Sequence, residues 1–150
     1  MTTPQPTPAP PSLEERRLYY FNIFPACPRL VARSSTFIWE HPRKPGSIMY
    51  LTRLRFDRRD SPFFRLWENW KSGLISQLMR IAERANYTFM ETARVEINGE
   101  HHDTLMIGVE PDSLSWERGY ALALRCKAVL EERGIHNVHC EIREARGFWW

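Results

Sequence analysis

A chain of 150 residues, 43% of them apolar, has the size of one domain and enough apolar side chain to fill one core, which excludes a multidomain machine. Its formal charge of +3 is unevenly spread: residues 1 to 60 hold ten basic and five acidic groups, and the remainder holds eleven and thirteen. That basic arm can draw anionic partners, yet it falls far short of the dense Lys and Arg stripe of a nucleic-acid binder, so nucleic acid is disfavoured as a partner.

Residues 1 to 12 contain five prolines and nothing to bury, so a disordered, extended tail is expected. Ser12 through Glu15 has the spacing of a capping box and opens a short helix to about Phe21. Its Leu18, Tyr19, Tyr20 and Phe21, with Phe24 beyond, would be costly to expose, so they should dock on the main body or on another protein. Prolines and glycine interrupt the stretch after Pro25, leaving one expected strand at 48–56, and residues 13–60 read as an N-terminal extension. Ser61 and Pro62 then open a helix over 62–85, whose stripe of Phe63, Trp67, Trp70, Leu74, Leu78, Ile81 and Ala85 should be buried.

Asn98-Gly99 marks a hairpin. A two-residue loop would pair Val95 with His102 and split the apolar residues of the two strands across both faces. An odd loop of three or five residues would instead gather Phe89, Ala93 and Val95 with Leu105, Ile107 and Val109, and is the expectation. A second helix runs from Pro111-Asp112-Ser113 to Arg133, ended by Gly134. A last strand follows, with Val138, Cys140 and Ile142 inward and His139, Glu141 and Arg143 outward. The chain ends on an aromatic tail, residues 145–150.

The fold class expected from this order is α+β: a two-layer sandwich with a small mixed sheet, made of a hairpin plus a strand after a crossover helix, and two helices on one face. The core occupies 61–144, and the last strand should be parallel to 104–110 but lie beside the strand at 91–97.

On that architecture the outer sheet face is polar and becomes the candidate binding surface, carrying Arg94, Glu96, His139, Glu141 and Arg143. A histidine beside carboxylates can serve as general acid or base, although cross-strand charge pairing explains the same residues without chemistry. No catalytic residue is assigned. His101, His102, His136, His139 and Cys140 fit no zinc-finger spacing, and His139 and Cys140 point to opposite faces, so no metal is expected. Ser113 and Ser115 lack a nucleophile elbow, and Arg33 through Thr36 can hold an anion or form an ordinary polar loop. The absence of a Gly-rich phosphate loop leaves no cofactor. Three cysteines without close spacing, Cys27, Cys126 and Cys140, exclude a disulfide framework and fit a reducing compartment. With neither a secretory signal nor a membrane span, a cytoplasmic setting without membrane contact is expected.

Two stretches carry a resemblance: residues 28–36 (PRLVARSST) with Trp39, and the run from Ile107-Gly108-Val109-Glu110-Pro111 through Ser113-Leu114-Ser115, Ala123, Arg125-Cys126, Gly134-Ile135 and Glu141-Ile142-Arg143-Glu144. Over residues 28 to about 144 the chain resembles a family of uncharacterised proteins of filamentous and mushroom-forming fungi. It departs from that family in the proline-broken linker at 40–47 and in its aromatic end. The resemblance implies a fungal source and a shared fold, and it transfers no activity, cofactor or site residue.

The functional expectation is a non-enzymatic protein-interaction domain, with another protein as partner. The alternative is a small enzyme or ligand-binding protein using the polar sheet face, and a third option is RNA binding through Arg53, Arg55, Arg58 and Arg59.

Overall fold

The structure, a computed structural model, describes residues 8–21, 27–41, 61–97 and 100–145. The strand expected at 48–56, the arginines at 53 to 59 and the end of the chain from 146 lie outside the described residues.

Helix α1 (Leu13–Leu18) starts where the sequence places it, because the Ser12 hydroxyl accepts the Glu15 amide at 3.1 Å. Strand β1 (Leu30–Arg33) follows. Helix α2 (Pro62–Glu68) is capped in the same way, by Ser61 Oγ accepting from the Phe64 amide, with proline in the first turn. The single helix expected over 62–85 is broken. Asn69 adopts an extended conformation and its side chain accepts from the Lys71 amide; a 3-10 turn over Trp70–Ser72 follows, and Gly73 sits at φ 74° before α3 (Leu74–Ala82). A left-handed glycine cannot continue a right-handed helix, and asparagine competes with the helix by capping the next turn. The break turns Trp70 outward, 79% exposed rather than buried in the stripe, while Phe63, Leu74, Leu78 and Ala82 do pack inward.

Strands β2 (Tyr87–Ile97) and β3 (Glu100–Val109) form the hairpin, but not with the odd loop. Pairing runs from Val95 with His102 to Ile97 with Glu100, leaving only residues 98 and 99 between the strands. The apolar set is therefore split: Leu105, Ile107 and Val109 face one side, while Phe89, Ala93 and Met106 face the other. The split is tolerated because both faces are covered. An irregularity between Tyr87 and Phe89 shifts the register by one residue and returns Tyr87 to the side of Val109.

Helix α4 (Trp116–Glu132), capped by Ser115, crosses to β4 (His139–Glu144). Gly134 at φ 83° and the bond from the Ile135 amide to the Leu130 carbonyl, 2.8 Å, close the helix. The sheet order is β1-β4-β3-β2. The last strand is parallel to β3, as expected, but lies beside it rather than beside β2. Two neighbouring parallel strands joined by one helix form a βαβ unit, and placing β4 there puts two strands that are buried on both faces at the centre of the sheet. Antiparallel β1 occupies the outer edge, so α1 and β1, expected as part of an extension, are built into the same sheet domain as residues 61–144.

The fold is α+β, with α3 and α4 on one face of a mixed sheet. Val138, Cys140 and Ile142 point into this helical side. Gly119 lets α4 approach β1 closely, since a Cβ there would stand 2.8 Å from Val31.

On the other face a Cβ on Gly108 would overlap the Phe89 ring, which lies across that glycine. Gly108→Ala should destabilise the protein by about 1–3 kcal/mol through overpacking. The additional change Phe89→Ala should relieve the clash, so chemical denaturation of the double-mutant cycle should show strong coupling; additive effects would contradict the packing described.

Candidate functional site

The second face of the sheet can be followed row by row. Leu30, Arg143, Gly108 and Phe89 form one row across the strands; Arg33, Glu141, Met106 and Glu91 form the next; His139, Thr104 and Ala93 form the third. His139, Glu141 and Arg143 of β4 thus share one face, as alternation requires. Arg94 does not join them. It lies on the helical side, where its Nε donates to Asp103 at 2.9 Å, and Asp103 also accepts from the hydroxyl of Ser61 at the start of α2. The side chain of Glu96 lies outside what the structure describes.

The face that carries these candidates is covered. Tyr19 and Tyr20, at the end of α1, pack with Leu30, Ala93 and Met106, and Phe37 and Trp39 close over them. Tyr19 Oη donates to Glu141 Oε2 at 2.6 Å and Tyr20 Oη donates to Oε1 at 2.9 Å, so each oxygen of this buried carboxyl has its own donor. Burial raises the Glu141 pKa above its usual value, opposed by the two hydroxyls and by the charges of Arg33 and Arg143. Both tyrosines are held well above the usual phenol value, first by burial and then by the Glu141 charge, which keeps them as neutral donors.

Arg143 is fully buried one row away. Its Nη2 donates to Glu91 at 3.1 Å, its Nη1 lies 3.1 Å from the Met106 sulfur, and its guanidinium sits 4.7 Å from the centre of the Phe89 ring. Burial pulls its pKa down and Glu91 is among the groups that pull it back. Arg33 extends the arrangement outward, pairing with Glu15 of α1 at 3.0 Å and stacking 4.1 Å from the Phe37 ring centre. The Arg33 to Thr36 stretch, weighed as an anion loop, therefore spends its arginine on the chain itself, including the Ser35 hydroxyl and the Phe37 carbonyl.

His139 stands at the end of this face and differs from its neighbours. Ser34 Oγ accepts the Cys140 amide at 2.9 Å and lies 2.9 Å from His139 Nδ1. The hydroxyl is thus held between the backbone and the ring, and the direction of its bond to Nδ1 follows the tautomer of the imidazole. Burial, followed by the positive charge of Lys127, pushes the His139 pKa down to about 4. Lys127 is fixed nearby by the carbonyls of His136 and Val138. Cys140 points the other way, and its hydrogen bond with Cys126, together with burial, holds its thiol well above the usual value, which makes it a packed residue rather than a nucleophile.

The arrangement brings His139, Glu141 and Arg143 onto one face, and it buries the latter two in contacts with the chain's own side chains. Sequence reasoning omitted Tyr19, Tyr20, Glu91 and Ser34 from this group; the adjacent tyrosines, apolar rings carrying a donor each, were the available signal. Among the described residues no group of three or more His, Cys, Asp or Glu could hold a metal ion. No family model, curated protein or solved structure matches the chain.

The depressed His139 pKa has a signed consequence. Unfolded histidine titrates near 6.5 and the folded ring near 4, so this residue's contribution to stability is complete above about pH 6.5 and is lost as pH falls toward 4. NMR titration should place the His139 transition near pH 4, and Lys127→Gln should move it upward; an ordinary value insensitive to that substitution would contradict the geometry.

Proposed function

We propose that this chain is a non-enzymatic protein-interaction domain whose partner is bound outside the second sheet face. One observation supports this reading above others: Glu141 and Arg143, the charged groups best placed for chemistry, are buried and engaged by Tyr19, Tyr20 and Glu91. Such an arrangement holds an N-terminal segment in place and leaves a substrate no approach to either group. A fungal source and a cytosolic setting belong to the same proposal. The first rests on the resemblance over residues 28–144. The second is supported by the buried free thiols of Cys126 and Cys140, and no helix among the described residues is long and apolar enough to cross a membrane.

A second reading, a small enzyme, has one specific observation in its favour. The hydroxyl of Ser34 lies 2.9 Å from a ring nitrogen of His139, which the low pKa keeps neutral at physiological pH. Against it, Ser34 is only 6% exposed and its oxygen already takes the Cys140 amide.

One pair of measurements separates the readings. Incubation of the full chain with a fluorophosphonate should leave Ser34 unlabelled by mass spectrometry. Affinity capture from fungal cytosol should return a partner that, once purified, raises the melting temperature of the chain by binding the native state. Stoichiometric labelling of Ser34 that vanishes in Ser34→Ala, with no such partner, would replace the interaction reading with the enzymatic one.

A further inference from the structure

The helical layer holds an open groove with unengaged charges. It lies between α3 and α4, has a volume of about 520 Å³, and is lined by Gln77, Arg80, Ile81, Arg84, Arg125, Ala128, Val129 and Glu132. These fall at the spacing of neighbouring turns on each helix, so the groove follows both helices for about two turns. Ile81, Ala128 and Val129 supply an apolar floor.

The two helices run in opposite senses. Arg133, just beyond α4, donates from Nε and Nη2 to Gln77 Oε1 at 3.2 and 2.7 Å, and from Nη1 to the Ser72 carbonyl at 2.7 Å, ahead of α3. At a rise of about 1.5 Å per residue, Arg84, in the 3-10 turn Glu83–Ala85 that follows α3, lies about 10 Å from Gln77 and Arg125 about 12 Å back along α4 from Arg133. The groove is therefore polarised, with Glu132 beside Gln77 at one end and the Arg84 and Arg125 pair at the other.

None of Arg80, Arg84 and Arg125 has a hydrogen bond or ion pair among the described residues. Other arginines are engaged, Arg29 with Glu144 and Asp112, Arg33 with Glu15 and Arg94 with Asp103, whereas these three stand together along one groove. Gln77 adds to the donors, since its oxygen is taken by Arg133 and its amide nitrogen has no other partner among the described residues.

We infer that this groove binds an amphipathic helix of a partner protein, acidic at one end. Its apolar residues, spaced i, i+3 or i+4, and i+7, would lie on Ile81, Ala128 and Val129, and carboxylates near one end would meet Arg80, Arg84 and Arg125 in the planar, two-bonded geometry that arginine favours. Glu132 repels acid at the opposite end and so sets the direction of the bound helix. A small anion fits less well, because five of the eight lining residues are exposed and the trough is too open to enclose one. This inference deepens the interaction reading and rests on it.

The test is panning of a displayed library of single-helix peptides against the full chain, followed by titration of the enriched peptides, synthesised and labelled, by fluorescence anisotropy. Enriched sequences should carry Asp or Glu at one end of an apolar stripe, and binding should weaken with added salt. The triple variant Arg80→Glu, Arg84→Glu, Arg125→Glu should weaken binding about tenfold or more, and Ala128→Glu, which obstructs the floor, should do the same. The altered side chains are exposed, so the variants should keep the wild-type melting temperature. Enriched peptides that bind the triple variant as well as the wild type overturn the groove and leave the interaction reading standing at another surface. Failure to enrich acidic helices also overturns it, as does inorganic pyrophosphate binding at the arginines where no helix does; loss of partner capture from cytosol is the separate failure of the interaction reading.

Discussion

The carboxyl of Glu141 is buried in the middle of a sheet face, and everything on that face is arranged around this constraint. A buried carboxylate oxygen left without a donor costs on the order of 1–3 kcal/mol or more, and here there are two. Tyr19 and Tyr20 meet one each, and they do so from the end of α1, a helix of only six residues that would be marginal alone. The same two rings cover Leu30, Ala93 and Met106, so the polar requirement and the apolar one are satisfied by the same side chains. An N-terminal segment, an edge strand and the last strand become parts of one unit through that contact.

Consequences run outward along the rows. Arg143 sits beside this centre and draws Glu91 from the far strand, while Phe89 folds over Gly108 to reach its guanidinium. Glu144 repeats the pattern at the strand's end, where it pairs with Arg29 at 2.6 Å and accepts the Asp112 amide, tying β1 to the turn before α4. A row of charges that reads as a reactive surface is thereby a set of internal fastenings. On the opposite layer, Arg80, Arg84 and Arg125 stand without acidic partners among the described residues, and that is where we propose recognition.

Much of this architecture is legible in the sequence, and the parts that are not have identifiable causes. Caps at Ser12 and Ser61, the glycine stop at Gly134, and the alternation of Val138, Cys140 and Ile142 against His139, Glu141 and Arg143 all mark real elements, because each is set by neighbours within a few residues. The hairpin register went the other way. Parity counting assumed one apolar face, whereas Asn98-Gly99 favours the tight turn and a second buried face removes the objection to splitting the apolar residues. Leu105 through Val109, an unbroken apolar run, was the sign of a strand covered on both sides and therefore central, which also places β4 beside β3 rather than β2. Gly73 and Asn69 broke a helix whose stripe continued across them. The fate of Glu141 was least legible, since its partners lie more than 120 residues away and no local pattern links them.

Spectrophotometric titration of the phenols, with Tyr19→Phe and Tyr20→Phe variants to assign the steps, offers the most direct test of the covered face. Tyr19 and Tyr20 should stay protonated past pH 10 and should titrate only together with loss of the circular dichroism of the fold, because phenols held above their usual value withdraw stability as pH rises past 10. A Tyr19→Phe, Tyr20→Phe variant should lack that late step. Ionisation of Tyr19 and Tyr20 near pH 10 with the fold intact would mean that Glu141 is not enclosed as described.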